Sequence, residues 1–140
     1  NINSNLALYR DNGVRYVGKV LLALRPGRKD KNFISIAKNV CDYFGGSLTL
    51  LHVVPENSST TESVKYRSEE KLKQSGVDAE VLILKSSDPV ETISETSAGY
   101  DLLILGTPEK DNWINVLFGG GKDKFTERAA CSVLRITLKD

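Results

Sequence analysis

Three consecutive glycines, Gly119-Gly120-Gly121, followed by Lys122, are the residues of this chain with the clearest chemical use. Glycine lets a backbone approach a phosphate closely. A helix opening near Lys122 would turn free N–H groups and the positive end of its dipole toward an anion. Upstream, the apolar run Leu102-Leu-Ile-Leu105 ends at Gly106-Thr107, and Arg25-Pro-Gly-Arg28-Lys29 follows the run Lys19–Leu24. Arg25, Arg28, Lys29, Lys122 and Lys124 together can receive an anion; the plainer reading is solvated loop charge.

Two familiar phosphate motifs fail. A P-loop needs a glycine five residues before Gly121 and a hydroxyl residue after the lysine, where this chain has Val116 and Asp123. The glycine triplet is not Gly-x-Gly-x-x-Gly, so a dinucleotide site is not supported. His52 is the only histidine, so neither a histidine metal cluster nor a Ser-His-Asp set can be assembled, and its place inside an apolar run favours a core role. Cys41 and Cys131 match no metal spacing and read as small core residues in a reducing compartment. Asn57-Ser-Ser59 is a glycosylation sequon, meaningful only on a secreted protein.

The chain has 140 residues, one ordinary domain with room for a core. Its 19 basic and 18 acidic residues give a net charge of +1, which argues against a general nucleic-acid binder. No apolar run nears the roughly 20 residues of a membrane span, and no signal peptide opens the chain. Methionine is absent, and the chain begins Asn1-Ile2-Asn3; the plainer reading is a trimmed or altered N-terminus, the sharper one a domain excised from a longer protein.

Periodicity supplies the elements that position these residues. Strands are expected at Lys19–Leu24, Leu48–Val54, Ala79–Leu84 and Leu102–Leu105. Phe33, Ile36, Ala37, Val40, Cys41 and Phe44 form a helical stripe over 30–44, which Gly45-Gly46 ends. A second helix runs to about Gln74 on the thin stripe Val64, Ser68 and Leu72, with Glu69, Glu70, Lys71 and Lys73 as a solvated face. Asp88-Pro89 opens a third helix by cap and fixed φ, and Phe125 and Ala129 mark a last one. In the final strand Leu134, Ile136 and Leu138 alternate with Val133, Arg135 and Thr137, as at a sheet edge. Strands alternating with helices give an α/β parallel sheet with right-handed crossovers. Residues 17–140 form this domain. Residues 1–16 are an extension or linker, where Asp11-Asn12-Gly13 between two apolar stretches is a hairpin signal and allows an extra N-terminal strand. Trp113, Ile114, Val116, Leu117 and Phe118 form an apolar group in the long loop, packing on the sheet, filling a pocket or meeting a partner.

The C-terminal layout resembles the universal stress protein family, whose loop reads Gly-x2-Gly-x9-Gly-Ser/Thr after a strand and before a helix and last strand. The spacing fits without a gap at Gly106, position 109, Gly119 and position 120. Glu109 stands where the second glycine belongs and Gly120 where the hydroxyl belongs. The resemblance covers Lys19 to Leu138. It implies an open five-stranded parallel sheet in the order 3-2-1-4-5, helices on both faces, and the final strand at an edge. It implies nucleotide or anion contacts at Ala23, Arg25, Val53, Gly106, Thr107, Gly119, Gly120, Gly121 and Lys122; ATP-binding members place an Asp where this chain has Arg25. It also implies a homodimer formed through the last strand at Val133, Arg135 and Thr137. Members occur alone or fused to membrane transporters and kinases. The expectation is a non-catalytic regulatory or assembly domain with a degenerate nucleotide site, no cofactor and no metal. It would be cytoplasmic, with a membrane transporter as the preferred host protein and the membrane-embedded part of the same chain as a partner. The alternative is a sensor of ATP or another adenine nucleotide; a nucleotide hydrolase is weaker because no general base or metal ligand stands out.

Overall fold

Uninterrupted apolar runs become strands here because both faces of the sheet are covered. The structure is a computed structural model that describes residues 6–10, 17–24, 30–108 and 131–138. Its strands are β1 (Leu6–Arg10), β2 (Lys19–Leu24), β3 (Ser47–Val54), β4 (Ala79–Lys85), β5 (Leu102–Pro108) and β6 (Ser132–Leu138). Its helices are α1 (Asp30–Phe44), α2 (Thr61–Gln74) and α3 (Pro89–Ser97). The six strands lie in the order β1-β6-β5-β2-β3-β4. The five strands β2 to β6 pair in parallel, which is the expected 3-2-1-4-5 arrangement. The extra N-terminal strand is present: β1 lies antiparallel to β6, from Leu6 opposite Thr137 to Arg10 opposite Val133.

That pairing corrects one expectation. The last strand is not the sheet edge, because β1 takes the backbone partners that Val133, Arg135 and Thr137 would have offered to a second copy. Both faces of β6 are covered: Ile136 joins the core under α1 and Val133 the core on the α3 face, so the alternation did not mark an exposed face. The expected hairpin turn at Asp11–Gly13, the helix around Phe125 and Ala129, and the apolar group at Trp113–Phe118 lie outside the described residues.

Alternate side chains of the central strands feed two cores. Val20, Leu22, Leu24, Leu50 and Ile104 pack under α1 with Phe33, Ile34 and Ala37. Leu21, Ala23, Leu51, Leu103 and Leu105 pack on the opposite face with Val90 and Ile93 of α3. Full burial of such aliphatic side chains contributes about 1.5–3 kcal/mol each. In α1 the buried positions are Asp30, Phe33, Ile34, Ala37 and Cys41, so the stripe sits slightly rotated from the one expected: Ile34 is inside, and Phe44 is 44% exposed. The helix stops where Gly45 takes φ +72° and Gly46 N–H donates to the Cys41 carbonyl at 2.9 Å, the pattern of a Schellman end. The thin stripe of α2 is as expected, with Val64, Ser68 and Leu72 buried. Asp88 caps α3, accepting from Glu91 N–H at 3.1 Å, with Pro89 at the first helical position. Asp101 ties the sheet's other end: its Oδ2 accepts from Gly18 N–H at 2.8 Å and Lys19 N–H at 2.9 Å. Among the described residues no helix is long and apolar enough to cross a membrane.

Candidate functional site

Strand order reverses between β2 and β5, so the crevice beyond their carboxyl ends is the position at which an open α/β sheet takes a ligand. Register aligns His52 of β3, Leu24 of β2 and Gly106 of β5 in one row across the sheet at that end. All three are buried. Gly106 is required here by packing: a Cβ built on it would run into Leu24 Cδ2 and lie 2.7 Å from Phe33 Cδ1. This glycine therefore has a reason to be glycine that is independent of any phosphate.

His52 is 1% exposed, and its Nδ1 lies 3.0 Å from the Leu24 carbonyl oxygen. With Nδ1 carrying the proton, the ring donates to that carbonyl. Burial is the main cause that lowers its pKa below the ordinary 6.5, and Lys71 adds to it; the Leu24 carbonyl and Asp30 act in the opposite direction. Asp30, the first residue of α1, is 4% exposed and pairs with Lys71 Nζ of α2 at 3.2 Å. Lys71 is thus not wholly part of a solvated face. The pair was not legible in the sequence, because its members are 41 positions apart and neither sits in a motif.

The sequence candidates separate into three groups. Ala23 is 1% exposed and faces the α3 core beside Leu51. Gly106 is enclosed under α1, while Thr107 pairs with Thr137 through the backbone of β5 and β6. Val53 lines an open cleft. Arg25, Glu109, Gly119, Gly120, Gly121 and Lys122, together with Arg28, Lys29 and Lys124, lie outside the described residues.

The open space at Val53 is a cleft of about 540 Å³ where the chain leaves β3 and β4. Val53, Val54, Pro55 and Pro89 give it an apolar floor, and Glu56, Asn57, Ser86 and Ser87 a polar rim. Register places Val54 opposite Lys85, which brings the two following loops side by side. Ser86 N–H donates to the Val54 carbonyl at 2.9 Å and locks them together. The Ser86 hydroxyl is also occupied internally: Asp88 N–H and Thr92 Oγ1 donate to it, and it donates to the Asp88 carbonyl. The polar stretch 55–61 carries no pattern that announces its place beside the Asp88-Pro89 helix start.

Both cysteines are buried, and desolvation is the main cause that pushes each thiol up to about 11. Among the described residues no group of three or more His, Cys, Asp and Glu side chains is placed to hold a metal ion.

No protein-family model matches the chain, and no curated protein matches it in sequence. Solved structures do match. A universal stress protein in complex with cAMP shares 15% identity at a TM-score of 0.64, over 90% of this chain and 98% of that one. A universal stress protein from Archaeoglobus fulgidus DSM 4304 shares 18% at a TM-score of 0.68, over 96% of this chain and 50% of that one, so this chain spans half of its length. A universal stress protein from Archaeoglobus fulgidus in complex with dAMP shares 13% at a TM-score of 0.61, over 86% of this chain and 98% of that one. The fold of the present chain is that of the universal stress proteins.

Proposed function

We propose that this chain is a regulatory or assembly domain of the universal-stress-protein type, without catalytic activity and with a degenerate nucleotide site. One combination supports the reading: the fold is shared with structures in complex with cAMP and dAMP, while the sequence departs from the family's loop at the positions that would meet phosphate. Glu109 sets a carboxylate where a glycine would let phosphate approach, and Gly120 offers no hydroxyl. Two like charges about 4 Å apart cost about 1 kcal/mol in water and more when desolvated. Arg25 cannot accept hydrogen bonds from a ribose as an Asp can. The retention of Gly106 does not argue for a ligand, because Phe33 and Leu24 already demand it.

The domain acts, in this reading, in the cytoplasm as the soluble part of a larger protein such as a membrane transporter, and self-associates as a homodimer. The rival reading is a sensor of ATP or another adenine nucleotide. It is favoured by the cAMP and dAMP found in complexes of two structures that share the fold. Thermal unfolding with and without Mg-ATP separates the two. A ligand present at 100 times its dissociation constant adds about 2.7 kcal/mol, so a sensor shows a clear rise in Tm and a degenerate site shows none.

A further inference from the structure

With β1 laid on one side of the sheet, the open edge is β4. Among the described residues β4 pairs only with β3. Ser86 N–H donates to the Val54 carbonyl, so Leu84, Leu82 and Glu80 also turn their backbone groups toward β3. Backbone direction alternates along a strand, and Ala79, Val81, Ile83 and Lys85 therefore turn their N–H and C=O groups outward. An edge of this kind is a template for another chain unless a Pro, a bulge or an inward charge blunts it. β4 contains no Pro, and its register with β3 runs unbroken to Lys85. Val81, Leu82, Ile83 and Leu84 are only half-buried, while Glu80 and Lys85, toward the two ends, are exposed.

This strand is complementary to itself. A two-fold axis normal to the sheet pairs two copies antiparallel and keeps their faces matched. With the axis at Leu82, Val81 lies opposite Ile83 of the second copy and Ala79 opposite Lys85. All four outward residues of each copy are then paired, by about eight hydrogen bonds. Lys85 shares the face of Ala79, the one that α2 covers. Beside Ala79 on that face, Glu69, Lys73 and Asp78 line a cleft of about 360 Å³, two carboxylates against one ammonium. The basic end of one strand thus meets the acidic end of the other. The two Glu80 side chains stand about 14 Å apart at the rise of a strand, beyond a screening length of about 8 Å. We propose that a second copy of this chain docks on β4, antiparallel about Leu82, with Lys85 of each copy in the Glu69 and Asp78 cleft of the other. The proposal rests on the homodimer reading and gives that dimer its surface.

Sedimentation velocity over a concentration series, joined to cross-linking, tests it. The unaltered chain sediments as a dimer. Leu82→Cys, on the axis, links to its own copy in oxidised glutathione, because opposed Cα atoms of a non-hydrogen-bonded pair lie about 4.5 Å apart, within disulfide reach. Leu84→Cys lies opposite Glu80 and stays unlinked. Lys85→Glu lowers the association constant about tenfold at low salt with Tm unchanged, because the residue is exposed. Adding Glu69→Lys, at another exposed position, restores the dimer, an outcome that no loss of folding produces. A monomer at the highest concentration overturns both the homodimer reading and this interface. A dimer in which Leu82→Cys stays unlinked, or in which Lys85→Glu changes nothing, overturns the interface while the homodimer reading stands.

Discussion

The Nδ1 of His52 lies 3.0 Å from the carbonyl oxygen of Leu24, joining β3 to the last residue of β2 beneath α1. Leu24 is in turn the register partner of Gly106. The single histidine of the chain therefore fixes the strand end from which the 25–29 segment departs. Its neutral form is the one that suits the site, because burial opposes a charge.

His52→Leu keeps similar volume and removes the donor. A net loss of about 1 kcal/mol is expected from a single hydrogen bond, measured by urea unfolding at pH 7.5. The pH dependence has a definite sign. The folded pKa is lowered from 6.5, so below pH 6.5 the unfolded chain takes up the proton more readily. Stability conferred by the neutral ring is complete above 6.5 and is lost as pH falls from there through the lower folded value. His52→Leu removes that part of the slope. Parallel slopes for the two proteins between pH 7.5 and 5 would contradict this assignment.

Gly106→Ala inserts a methyl group into space held by Leu24 and Phe33. Overpacking of this kind costs about 1–3 kcal/mol. Adding Phe33→Leu opens room and recovers part of the loss. A Gly106→Ala protein as stable as the original would remove the packing explanation of this residue.

Cys41 and Cys131 should resist thiol reagents in the native protein. Each is buried and has its pKa raised to about 11, and the thiolate is the reactive form. With Ellman's reagent at pH 8 the native chain reacts slowly and the denatured chain reacts at both sites at once. Rapid native reaction would show that the two sites open.

Strand β1 covers the edge of β6. Deleting residues 1–10 bares the backbone groups of Val133, Arg135 and Thr137, and an unpaired edge is a template for pairing with another chain. Sedimentation velocity should show stronger self-association of the truncated protein. Unchanged behaviour would mean that any homodimer uses a different surface.

The sheet was legible because uninterrupted apolar runs and the stripes of α1 and α2 carry their own period. The Asp88-Pro89 start of α3 was legible because capping is local. What escaped depends on contacts between distant positions. Ile34 is buried and Phe44 is 44% exposed, a choice of helix face that is made by packing against the sheet. Asp30 meets Lys71 across two helices. Gly106 looked like a ligand residue and is enclosed by Phe33, a contact that no spacing reports. The cleft of Glu56, Asn57 and Ser87 exists only because β3 and β4 end at the same level.

The central claim is a universal-stress-protein fold whose phosphate end no longer supports ATP. Equilibrium dialysis with labelled ATP tests it most directly, on the unaltered chain and on the triple variant Arg25→Asp, Glu109→Gly, Gly120→Ser. The account predicts weak or no retention by the unaltered chain and higher affinity in the variant, which regains a ribose acceptor, a glycine and a hydroxyl. Low-micromolar binding of ATP by the unaltered chain would contradict it and establish the sensor instead.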